Sequence, residues 1–100
     1  MSDIEFIQHL ETLIRERILE SPEESYTAKL ARAGITTVAQ KVGEEGVELA
    51  LAGAVQSDVD VIDESADLLY HMLVLLALRG ISFASVIAAL EVRHETRQAK

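Results

Sequence analysis

Glutamates crowd one short stretch of the chain: KVGEEGVE, Lys41 to Glu48, carries Glu44, Glu45 and Glu48, and a second acidic group, Asp60, Glu64 and Asp67, follows it. On a helix each residue advances about 100°, so Glu44, Glu48 and Glu45 stand at about 0°, 40° and 100°, with Lys41 near 60° in the same stripe. Glu64 and Asp67 are about 60° apart, with His71 between them and Asp60 close beside. The roughly fifteen residues between Glu48 and Glu64 suffice to finish one helix, turn at Ser57-Asp58 and return antiparallel, so that the two acidic faces meet. Facing carboxylates cannot all stay ionised without a counter-charge, and one lysine is too little. A hard divalent cation, Mg²⁺ or Mn²⁺, takes carboxylate oxygens and bridges to phosphate. The competing reading is a solvated acidic face, which leaves unexplained why the acids recur at i, i+3 on two successive helices.

Composition agrees with a nucleotide held through metal rather than through basic side chains. Nine Lys and Arg face 17 Asp and Glu, a formal net charge of -8, which argues against nucleic-acid binding by a basic surface. The absence of Cys excludes disulfides, thiolate zinc sites and cysteine nucleophiles. Met1 to Phe6 carries Asp3 and Glu5 where a secretory signal would be basic and apolar, so the expected location is cytoplasmic. The apolar run Leu68 to Leu78 is about half the roughly 20 residues that span a bilayer, and no membrane partner is expected. One hundred residues leave room for one domain, 1–100.

The elements that must position these acids are helices. Ile4, Ile7, Leu10, Leu13, Ile14 and Ile18 follow the helical period over Asp3 to Glu20, ahead of Ser21-Pro22. SPEESYTAKLARAG is a polar connection with a short helical turn over Thr27 to Ala33, closed by Gly34. A second helix runs from Thr36 or Thr37 to about Gln56. A third runs from Asp58 to Arg79, opened by Ser57 and Asp60 at capping-box spacing, and a fourth from Phe83 to about Thr96 behind Ser82. The alternation in DVDVI is too short to make a strand. The expected fold is all-α, four main antiparallel helices in a bundle. Because the third helix is apolar on nearly all sides, part of it is expected to pack against a second copy, completing a homodimer.

EEGVE followed by ESAD resembles the E-E-x-x-E then E-x-x-D signature of the all-α nucleoside triphosphate pyrophosphohydrolases, a magnesium-dependent superfamily with MazG-like and dimeric dUTPase-like members. More closely, SYTAKL (Ser25 to Leu30), AQKVGEEGVE (Ala39 to Glu48) and ADLLYHMLVLLALRG (Ala66 to Gly80) are similar to the phosphoribosyl-ATP pyrophosphohydrolase family, over nearly the whole chain. The resemblance implies hydrolysis of 1-(5-phosphoribosyl)-ATP to 1-(5-phosphoribosyl)-AMP and pyrophosphate, the second step of histidine biosynthesis. It implies that Glu44, Glu45, Glu48, Glu64 and Asp67 hold Mg²⁺, with Mn²⁺ as a substitute, and that one of them orients or deprotonates the attacking water. Chain length and the missing cysteines, set beside that resemblance, suggest the stand-alone form rather than a fusion with phosphoribosyl-AMP cyclohydrolase.

Around the acids, Ser25, Tyr26, Thr27, Lys29 and Arg32 lie in the connection, where loop residues often touch substrate. Lys41 either contacts substrate phosphate or pairs with Glu44 and Glu45. His71 either reaches phosphate or stands behind the carboxylates. Arg79 complements a helix dipole, and Arg93, His94 and His9 are assigned no role. Two other functions fit the pattern less well. A house-cleaning hydrolase of other nucleoside triphosphates would keep the fold, but SYTAKL speaks against it; a non-catalytic dimerisation module would not need both acidic motifs.

Overall fold

The computed structural model describes the backbone of residues 1–99 and the side chains of residues 1–97. Five helices follow one another: α1 (Asp3–Ile18), α2 (Tyr26–Ala33), α3 (Ile35–Val55), α4 (Asp58–Leu78) and α5 (Phe83–Ala99). No strand occurs among the described residues, and DVDVI forms the first turns of α4. The all-α expectation stands, with one helix more than the four main ones.

The extra helix lies in the polar connection. Ser25 Oγ accepts the Ala28 N–H at 3.2 Å and caps it, while Thr27, Ala28 and Leu30 turn inward. Gly34 alone joins α2 to α3, at φ 104° and ψ 163°. That backbone region is essentially open to glycine only, and because nothing lies within 4 Å of where a Cβ would stand, conformation rather than crowding requires the residue. A one-residue joint fixes the direction of α2 relative to α3. Serines also cap α1 and α4, Ser2 accepting from Glu5 N–H at 3.2 Å and Ser57 from Asp60 N–H at 3.3 Å.

The core takes Ile14 from α1, Leu30 from α2, Val38 from α3, and Leu73 and Val74 from α4. Ile14 is fully buried. Replacing it with Ala should cost about 2–5 kcal/mol in urea unfolding, a large share of the roughly 5–15 kcal/mol that holds such a domain. A smaller loss would mean that α1 is less firmly seated than its burial implies.

The uncovered apolar surface is not where the Leu68 to Leu78 run suggests. Those residues are buried or half-buried, and the exposed apolar side chains instead include Val47, Leu51 and Val55 on α3 and Val59 and Ile62 at the start of α4. Val47, Leu51 and Val55, spaced i, i+4, i+8, form a stripe along α3, and Val59 and Ile62 are exposed past the two-residue turn. α5 leaves α4 at 107° and is seated mainly through Phe83. The Cα radius of gyration of 15.3 Å exceeds the about 13 Å of a compact chain of this length. Among the described residues no single helix is long and apolar enough to cross a membrane.

Candidate active site

The hairpin of α3 and α4 carries both acidic motifs, and their two innermost members meet. Glu45 on α3 and His71 on α4 are both buried, and Glu45 Oε1 lies 2.5 Å from His71 Nδ1. That is ion-pair distance, but the oxygen lies off the hydrogen-bonding direction of the ring nitrogen, which bonds the Asp67 carbonyl at 3.0 Å. Oε1 therefore gains proximity without a proton donor. The other ring nitrogen, Nε2, bonds Tyr26 Oη at 2.8 Å.

Charge is held at a cost here. Burial pushes the Glu45 carboxyl above its ordinary value, Asp67 and Glu48 push it further, and His71 and Lys41 offset part of the rise. At Glu64 every cause has the same sign: desolvation, a carboxyl contact with Glu48, then repulsion from Glu48, Asp67 and Glu45. Glu45, Glu48, Glu64 and Asp67, drawn from two helices, thus share one electrostatic site.

Glu45 Oε1 and Glu64 Oε2 are buried without a hydrogen-bond partner. A buried carboxylate oxygen that nothing satisfies is expensive, and hard oxygen donors beside like charges are what a divalent cation relieves. The residues fit such an ion. Among the described residues no three of these acids and histidines already close on one point, so ligation requires side-chain rotation, open to Glu48 and Asp67 because both are exposed.

The remaining expected residues divide. Lys41 is half-buried and acts on Glu45; Glu44 and Lys29 are exposed, and Glu44 is not among the charges that move Glu45 or Glu64. Ser25 is the cap of α2. Thr27 is buried with its hydroxyl bonded to Tyr70 Oη. His71, with both nitrogens engaged and little surface, fits a place behind the carboxylates rather than one on phosphate. Beyond these, a cavity of about 430 Å³ opens beside Tyr26, Thr27 and Tyr70, and Arg17, Glu20 and Glu24 complete its wall. The sequence points to α2 as a ligand-facing segment but gives no sign that the end of α1 joins it, since Arg17 there looks like an ordinary dipole-complementing charge.

Comparison with known proteins places this geometry. The family model described as phosphoribosyl-ATP pyrophosphohydrolase matches residues 7–94. The chain is 54% identical over 90 residues to the histidine biosynthesis bifunctional protein HisIE of Xylella fastidiosa Temecula1, covering 90% of this chain and 44% of that protein. Against HisIE of Xanthomonas campestris pv. campestris the identity is 55% over 91 residues, 91% of this chain and 44% of the relative. Against HisIE of Escherichia coli K12 it is 49% over 90 residues, 90% and 44%. The chain spans a little under half the length of these curated relatives. With a family model covering most of its length and the acidic hairpin intact, the chain belongs to the phosphoribosyl-ATP pyrophosphohydrolase family.

Proposed function

We propose that this chain hydrolyses the α–β phosphoanhydride of phosphoribosyl-ATP, giving 1-(5-phosphoribosyl)-AMP and pyrophosphate in histidine biosynthesis, with Mg²⁺ as cofactor and Mn²⁺ as a substitute. The observation that carries it is the pair of unpartnered buried oxygens, Glu45 Oε1 and Glu64 Oε2, set among like charges in a hairpin of this family. Glu45, Glu64 and Asp67 would hold the cation. When bound there, Mg²⁺ supplies positive charge for the triphosphate oxygens and makes water more acidic. Glu48, exposed beside Glu64, orients the attacking water and takes its proton, with Glu44 one turn before it. Water oxygen bonds to phosphorus, the anhydride bond breaks, and its electron pair leaves with pyrophosphate. Lys41, Lys29 and the cavity beside Tyr26 and Thr27 receive the rest of the nucleotide.

The acting unit in this reading is a homodimer in the cytoplasm, with Val47, Leu51 and Val55 against a second copy. The test is magnesium-dependent pyrophosphate release across phosphoribosyl-ATP, ATP and dUTP. Preference for phosphoribosyl-ATP is expected. Orthophosphate appearing first would place the cleavage at another bond, preference for dUTP would favour the house-cleaning reading, and silence on all three would return the chain to a dimerisation module.

A further inference from the structure

Three side chains from three helices form a chain of contacts whose outer end is the cavity wall and whose inner end is a carboxylate of the site. Tyr26 on α2 is half exposed and lines the cavity, His71 on α4 is buried behind it, and Glu45 on α3 is buried behind His71. The Asp67 carbonyl can only accept, so Nδ1 carries a proton, and Nε2 shares a hydrogen bond of 2.8 Å with the Tyr26 hydroxyl. Two tyrosine rings meet this imidazole edge-on, Tyr26 at 83° and Tyr70 at 90°, each with centroids 5.7 Å away. Tyr70 is itself tied to α2 by the Thr27 hydroxyl. Nδ1 is thus held from within α4 by the Asp67 carbonyl and Nε2 from α2 by Tyr26, and Nδ1 lies 2.5 Å from the Glu45 oxygen.

We propose that Tyr26 and His71 are positioning residues for Glu45: the α2 segment, through this strut, holds the carboxylate in the orientation that receives the cation. The inference rests on the reading that Glu45 ligates a divalent ion. Groups behind metal ligands fix the ligand's rotamer and basicity and typically contribute about 10–100-fold in metal affinity. A tyrosine that served only to touch nucleotide would have no effect on metal binding in its absence.

The probe is therefore Mn²⁺ alone, titrated calorimetrically into the metal-free protein without nucleotide, with melting temperature recorded beside it. Tyr26→Phe leaves the ring in place and removes one oxygen. It should weaken Mn²⁺ about tenfold, and His71→Leu about 100-fold, the two ends of the range for such groups. Adding Tyr26→Phe to His71→Leu should cost nothing more, because the hydroxyl acts through the imidazole. His71→Asn keeps a donor for the Asp67 carbonyl beside Glu45 but lacks the atom that Tyr26 holds, so it should recover the His71→Leu loss only to the level of Tyr26→Phe, which a merely structural histidine would not show. Wild-type affinity in Tyr26→Phe, or losses that add in the double variant, would overturn the strut. A wild type that binds no Mn²⁺ would overturn the metal reading with it, whereas a wild type that binds Mn²⁺ tightly and a Tyr26→Phe that does so equally would sink the strut alone.

Discussion

Glu64→Gln should melt at a higher temperature than wild type in chelator, yet release pyrophosphate from phosphoribosyl-ATP about 100-fold more slowly or worse, at least what is lost when a group merely behind a metal ligand is removed. The stabilisation follows because every influence on the Glu64 carboxyl disfavours its charge and none offsets it. At Glu45, by contrast, His71 and Lys41 return part of the cost, so neutralising Glu45 gives a mixed result. The pH dependence has a definite sign. Both carboxyls bind a proton more tightly folded than unfolded, so the stability they contribute is fully present below the ordinary value of 4.5 and is lost as pH rises through their raised folded values. Melting temperature of the metal-free protein, followed upward from pH 4.5, should therefore fall less in Glu64→Gln than in wild type, and excess Mn²⁺ should close the gap by stabilising wild type alone. Glu16→Gln, on the exposed side of α1, is the control. Glu11 is unsuitable, since it accepts the Phe83 N–H at 2.8 Å. Equal responses of Glu64→Gln and Glu16→Gln to Mn²⁺ would leave the acids a solvated face.

Leu51→Glu should convert a dimer into a monomer. Leu51 sits at the middle of the exposed stripe, flanked by Val47 and Val55, and its exposure of 56% means that the change disturbs little inside one chain. A charge buried at the centre of an interface costs about 2 kcal/mol or more, roughly a 30-fold rise in dissociation constant. Light scattering at micromolar concentration should give twice the 11.0 kDa chain mass for wild type and the single mass for the variant. A wild type that scatters as a monomer removes the proposed dimer, and an unaffected variant moves the interface elsewhere.

The helical class and the meeting of the two acidic motifs were legible because both rest on period and local punctuation. Apolar residues on α1, Ser57 before α4 and Gly80 after it speak within a few residues of where they act. Helix α2 was half legible: its cap Ser25 is a local signal, but eight residues, good helix formers though most are, make too short a helix to hold alone and become stable only by burying Thr27, Ala28 and Leu30 against other elements. The place of the exposed stripe was not legible from hydrophobicity alone. Leu68 to Leu78 is the more apolar run, yet α1, α2 and α3 cover it, and what stays bare is set by where those helices end. His71 illustrates the same limit in the site. Its spacing from Glu64 and Asp67 puts it on the acidic face, whereas its partner Tyr26 lies 45 residues away and belongs to a helix whose direction depends on Gly34.

The bond from Glu11 to Phe83 joins residues 72 apart in sequence, while α3 and α4 are joined by a turn of two residues. The order of assembly follows from that difference. Closing a short loop is cheap and fast, so the acidic hairpin can form early, with its repelling carboxylates already together; closing the ends of the chain carries a larger loop entropy and waits until Phe83 has emerged. The latch between α1 and the start of α5 is then among the last contacts made. It is also among the first to open, so amide exchange at Phe83 should outpace exchange at Val74 in the core.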